Sequence, residues 1–157
     1  MHKKEELIQN FKTAIASTTK SVSNVKDIEV IFGNEKLKTN KKIIKLPDLE
    51  SINDKIDYTK ARALADSEAL KVRYSNEKIL KTYEPEGNIS KKLYHIAEKI
   101  RYEKLGSVEF KGIKNNIDKF YNEKLEKTEF EKNENKYVDA FENYLRSNIF
   151  NYNNNKN

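Results

Sequence analysis

Glu98, Arg101 and Glu103 crowd the apolar stripe Ile96, Ala97, Ile100 in the stretch IAEKIRYEKLG, and a glycine, Gly106, follows at once. Steps of three and four residues place Glu98, Arg101, Tyr102 and Leu105 along one side of a helix. Carboxylates and a guanidinium at that spacing support two kinds of chemistry. They can form doubly hydrogen-bonded ion pairs, or a carboxyl of displaced pKa can move protons. The second needs burial or a like-charged neighbour, and nothing in these polar surroundings announces either. Other carboxylate pairs, such as Glu123 with Glu126, mark no site in a chain with 25 acidic residues.

The remaining reactive side chains are sparse. The four glycines are scattered at 33, 87, 106 and 112, so no glycine-rich phosphate loop exists. Of two histidines, His2 sits in the terminal stretch and His95 reads as a partly exposed helix residue. A metal would need ligand partners in a pattern that is not present. With no cysteine there is no disulfide, zinc–thiolate site or thiol nucleophile. Asn88-Ile89-Ser90 matches a glycosylation sequon and reads as incidental without a secretory signal. These residues give no catalytic, cofactor-binding or metal site.

The elements that must hold the charged helix come from periodicity. Leu7, Phe11, Ala14, Ile15, Thr18 and Val22 define a helix over roughly 3–22. Ile28, Val30 and Phe32 alternate with Glu29 and Ile31, and "KIIKLP" gives a second extended run, so a small β-hairpin is expected, roughly 27–32 with 42–46. A helix over roughly 54–75 follows, with Tyr58, Ala61, Ala65, Ala69 and Val72 on one side. Its alanine centre would let a neighbouring helix approach near the short end of the usual axis separation of about 8–10 Å. A short helix over roughly 76–82 leads to the break at Pro85 and Gly87. The charged helix, roughly 89–105, is expected to be capped by Asn88 or Ser90 and stopped by Gly106 in a left-handed conformation. Ile113, Ile117, Phe120 and Tyr121 mark the next helix, and Tyr137, Val138, Phe141, Tyr144, Leu145 and Ile149 the last. The fold class is therefore mainly α: about five amphipathic helices with a small β-hairpin between the first and second. Residues 1–150 read as a single helical domain and 151–157, NYNNNKN, as a disordered polar tail.

Bulk composition narrows the functional classes. Charged residues are 36% of the 157 and the net charge is +6. Most lysines alternate with acids, as in EELIQNFK and EFEKNENK, which describes solvated helix faces better than a phosphate-binding surface. A basic nucleic-acid-binding module is the rival class, and nucleic acid is not the expected partner. No apolar run approaches the roughly 18 residues of a membrane span, and MHKKEELIQNF lacks a signal peptide's apolar segment. Cytoplasmic localisation without membrane association is expected.

TKARALADSEALKVRYSNEKI followed by EPEGNISKKLYHIAEKIRYEKLGS resembles the N-terminal region of the CobT-type subunit of aerobic cobaltochelatase. The matching positions are Arg62, Asp66, Ala69, Leu70, Arg73, Pro85, Gly87, Glu98, Arg101, Glu103 and Gly106. DIEVIFG and KLPDL are similar to the family's hairpin and its proline exit, and the likeness covers most of residues 5–120. Lys99 stands where the family pattern has Gln. The family continues past a linker into an adhesion-site domain marked by Asp-x-Ser-x-Ser, and this chain has no such motif. The resemblance implies a non-catalytic assembly and coupling domain of the chelatase. Its partners would be an AAA+ ATPase subunit and a large corrin-binding subunit, with homo-oligomerisation left open. Cobalt, the corrin substrate and ATP-Mg would then lie on the partner subunits. A free-standing regulatory relative of the same domain is the alternative. The candidate ion-pair or interface residues are Arg62, Asp66, Arg73, Glu98, Arg101 and Glu103. Antiparallel packing of the two helices would join Arg101 to Asp66 and Arg62 to Glu98; the alternatives are local pairing of Glu98 with Arg101 or Tyr102 on its own helix, or a surface that docks a partner.

Overall fold

The computed structural model describes residues 2–34, 36–49, 55–127 and 136–151. Its elements are α1 (His2–Ser23), β1 (Ile28–Phe32), β2 (Lys42–Leu46), α2 (Lys55–Tyr74), α3 (Glu77–Thr82), α4 (Asn88–Glu109), α5 (Lys111–Lys127) and α6 (Lys136–Phe150). The chain divides into two compact units, Met1–Arg73 and Tyr74–Asn157. The protein is mainly helical, as its periodicity requires. Residues 50–54 of the polar connector and 152–157 of the tail lie outside the described residues.

In the first unit α1 ends at Asn24, which takes φ 54 and donates its N–H to the Ser21 carbonyl at 3.3 Å. Asparagine tolerates this left-handed conformation better than most residues. The two strands occupy the expected positions, but they do not form a hairpin. They pair in parallel, with Ile28 opposite Lys42, Val30 opposite Ile44 and Phe32 opposite Leu46. The connection explains the correction. Residues 33–41 can span up to about 30 Å extended, whereas a five-residue strand is roughly 16 Å long. The chain therefore has length to return to the start of β1 before laying down β2. Gly33 begins that return at φ +62, and a Cβ there would lie 3.1 Å from the Asp48 side chain.

Parallel pairing places Ile28, Phe32, Ile44 and Leu46 in one core with Ile15 of α1, Leu49, and Ala61 and Ala65 of α2. Phe11 and Tyr58 pack against it, edge to face at 4.8 Å. Ala61 and Ala65 of the alanine stripe thus face α1 and the sheet. α2 is buried on its other side too, at Ala63, Asp66, Ser67 and Leu70. One apolar stripe did not suggest that second buried side.

In the second unit α4 packs against α5 and α6. Ile100 and Tyr102 of α4 are buried, as are Ile113, Ile117 and Tyr121 of α5. Two cap assignments change. Asn76 is the working cap, at the start of α3, accepting from the N–H groups of Lys78 at 3.1 Å and Ile79 at 3.2 Å. α4 is instead preceded by Gly87 at φ 91, with no side-chain cap from Asn88 or Ser90. Gly106 does not stop α4. The helix runs to Glu109, Gly106 is buried within it, and the Phe110 N–H donates to the Gly106 carbonyl at 2.7 Å. A glycine signals a stop only where the chain turns left-handed, and here the helical ladder continues through it.

Candidate functional site

The charged helix α4 spends its ions on backbone and on neighbouring charges. Arg101 grips Glu98 with both arms of its fork, Nε to one oxygen at 2.6 Å and an amino group to the other at 2.8 Å. The same guanidinium donates to the carbonyl of Tyr74, the last residue of α2, at 2.7 Å. Ser75 donates to Glu98 at 2.6 Å. The last carbonyls of a helix lack intrahelical donors and carry partial negative charge, so a cation is well placed there. The Arg101 guanidinium holds the Glu98 carboxyl below its ordinary range, against the opposing effect of burial. Glu98 in turn raises Arg101.

Two more cations repeat this contact. In the first unit Arg73 donates to the Val22 carbonyl near the end of α1, at 3.2 Å. In the second, Lys104 donates to the Ile149 carbonyl near the end of α6, at 2.9 Å, and lies over the Phe150 ring. Arg62 lies over the Phe11 ring, 5.3 Å from its centroid, and Asp66 is buried. The expected pairs of Arg101 with Asp66 and of Arg62 with Glu98 join residues of different units and remain expectations. Within the units, Arg62 turns to Phe11, while Glu98 and Arg101 turn to each other.

The most deeply buried charges form a cluster that only Glu103 foreshadowed. Arg146 of α6 is 1% exposed and Glu103 of α4 is 1% exposed. They pair at 2.7 Å. Arg146 also donates to Glu142, one turn earlier on its own helix, at 2.9 Å and to the Tyr121 hydroxyl of α5 at 2.7 Å. Its guanidinium lies over the Tyr121 ring, 3.4 Å from the centroid. Lys124 pairs with the second oxygen of Glu142 at 3.2 Å. Two cations thus face two carboxylates, and the fork of one arginine ties together three helices. Burial pushes the Glu142 carboxyl up, but the Arg146 and Lys124 cations outweigh it and hold it below the ordinary range. Burial likewise pushes Arg146 down, and Glu103, Tyr121 and Glu142 more than offset it. Burial is also the main cause of the raised Tyr121 hydroxyl.

Arg146 had a signal in the sequence. The chain has four arginines against 27 lysines. A planar guanidinium binds two partners at fixed angles, which a lysine cannot do. Each of the four arginines is engaged by a ring, a helix end or a carboxylate. In a lysine-rich chain the rare arginine marks a structural anchor.

This arrangement ties helices to one another within the second unit. Among the described residues no cluster of histidine, aspartate and glutamate could hold a metal ion. His95 contacts Glu84 at 2.7 Å on an exposed face. Among the described residues no helix is long and apolar enough to cross a membrane. Fold and site together define a mainly helical protein whose arginines bind helix ends, a ring and carboxylates within each unit. Residues 5–145 match the family described as cobalamin biosynthesis protein CobT, so the chain belongs to that family, which implies a role in cobalamin biosynthesis. No solved structure matches the chain.

Proposed function

We propose that this chain is an assembly and coupling domain of a cobaltochelatase subunit. It has no catalysis of its own, and supports ATP-dependent cobalt insertion into a corrin ring through an AAA+ ATPase subunit and a corrin-binding subunit. Family membership over residues 5–145 supplies the pathway. The observation that carries the scaffold role is the use of its arginines. Arg73, Arg101 and Arg146 bind helix ends or neighbouring charges, so their chemistry is spent on holding shape. A rigid surface presented to partners is what such internal bracing provides. The ATP, the corrin and the cobalt substrate then belong to the partner subunits. The test is co-purification with the AAA+ subunit, with and without ATP. Retention in at least one condition is expected, and failure in both overturns the proposal.

A further inference from the structure

Two of the five residues of β2 direct their backbone polar groups away from β1. The Lys42 N–H donates to the Asp27 carbonyl at 3.2 Å, and the Leu46 carbonyl accepts from the Gly33 N–H at 2.8 Å. In a parallel ladder a residue sends both its N–H and its C=O to the same neighbour, and its successor sends both to the opposite side. Lys42, Ile44 and Leu46 therefore serve β1, while Ile43 and Lys45 point outward. Among the described residues the sheet has two strands, so this side of β2 is an edge. Lys45 is exposed and Ile43 partly so.

The edge carries unusual charge for this chain. Elsewhere most lysines alternate with acids, but residues 36–47, KLKTNKKIIKLP, hold five lysines and no acid. Lys36, Lys38, Lys41 and Lys45 are exposed. Among the described residues the nearby acids already face lysines. Glu29 is shared by Lys20 and Lys41, each at 2.9 Å, Asp48 is held by Lys12 at 3.4 Å, and Asp27 lies near Lys41. A positive excess is left beside unpaired strand edge.

We propose that the outer edge of β2 accepts an acidic, extended peptide segment as a third strand. The main-chain groups of Ile43 and Lys45 supply the hydrogen bonds of strand addition, and the lysines select a strand rich in glutamate or aspartate. A second copy of this edge is disfavoured, because edge lysines facing one another repel. A nucleic acid would satisfy the charge but make no ladder with the strand. The proposal stands independently of the chelatase reading.

The full chain can be titrated with a short fluorescent peptide alternating glutamate and valine, while amide exchange is followed at Ile43 and Lys45. Saturable binding is expected, with exchange at these two amides slowed by at least about tenfold. A peptide N-methylated at alternate residues loses the ladder hydrogen bonds and should not bind. Charge reversal at two exposed positions, Lys38→Glu with Lys45→Glu, should weaken binding at least about tenfold while leaving the circular dichroism unchanged. Absent binding, equal binding of the N-methylated peptide, or equal binding to the charge-reversed protein overturns the proposal. So does tighter binding of single-stranded oligo-dT without amide protection, which would make the edge a phosphate-binding surface.

Discussion

Arg146 shows how much one side chain can hold. Its guanidinium is buried against Glu103, Glu142 and Tyr121, so removing it strands a carboxylate where water cannot replace the lost partner. Arg146→Met should lower unfolding stability by about 3–5 kcal/mol in urea titrations. Adding Glu103→Leu should restore part of that loss, because the orphaned charge leaves with its partner. Arg146→Lys should rescue little, since an ammonium cannot reproduce the fork. Arg101 makes a comparable set of bonds but with its side chain 47% exposed. Water competes for it, so Arg101→Ala should cost no more than about 1 kcal/mol. A double-mutant cycle on Glu98 and Arg101 should give measurable coupling. A cycle on Asp66 and Arg101 tests the remaining expectation: coupling below about 0.5 kcal/mol leaves only the local pair.

At the scale of elements, helices were readable and their connections were not. Leu7, Phe11 and Ile15 or Ile113 and Ile117 repeat at helical spacing whatever surrounds them, so each helix announces itself. The direction of β2 relative to β1 depends on the path of residues 33–41, and alternation in a strand is the same for parallel and antiparallel pairing. Gly106 and Asn88 carry local signals that the surroundings outweighed. The Arg146 cluster joins side chains 25 and 43 positions apart on three successive helices, beyond the reach of helical spacing; Glu103 and the scarcity of arginine were its only hints. The glycines separate these cases by experiment. Gly33 has φ +62, and an added Cβ meets Asp48 at 3.1 Å, so Gly33→Ala should destabilise by about 1–2 kcal/mol or more. Gly112 lies in the first turn of α5 with nothing within 4 Å of an added Cβ. Gly112→Ala should instead stabilise by up to about 1 kcal/mol. Thermal melts of the two variants should move in opposite directions.

Across the whole molecule the ion pairs predict a response to acid. Glu29, Glu84, Glu98 and Glu142 all have carboxyls held below the ordinary value of 4.5 in the folded state. Glu29 is pulled down to about 2, chiefly by its hydrogen bonds to Lys41 and Lys20. Above 4.5 these groups are ionised whether the chain is folded or not, and their contribution is complete. As the pH falls below that, the unfolded chain takes up protons that the folded chain resists, so stability declines with falling pH. The loss for Glu29 spreads over the window from 4.5 down to about 2. On the basic side Lys41 and Arg101 are raised, so their contributions persist through neutrality and fade only well into alkali. Unfolding midpoints should therefore be flat near neutral pH and drop in acid. Salt separates the two kinds of pair. Glu29 pairs at the surface, where about 1 M salt screens the interaction to roughly 3 Å. Glu142 pairs with an arginine that is itself buried, and screening reaches it less. At low salt Glu29→Gln and Glu142→Gln should each shallow the acid limb. At high salt Glu142→Gln should still do so, whereas Glu29→Gln should lose its effect. An acid limb equally steep in the wild type and in Glu142→Gln would mean that the buried cluster is not ionised as its geometry requires.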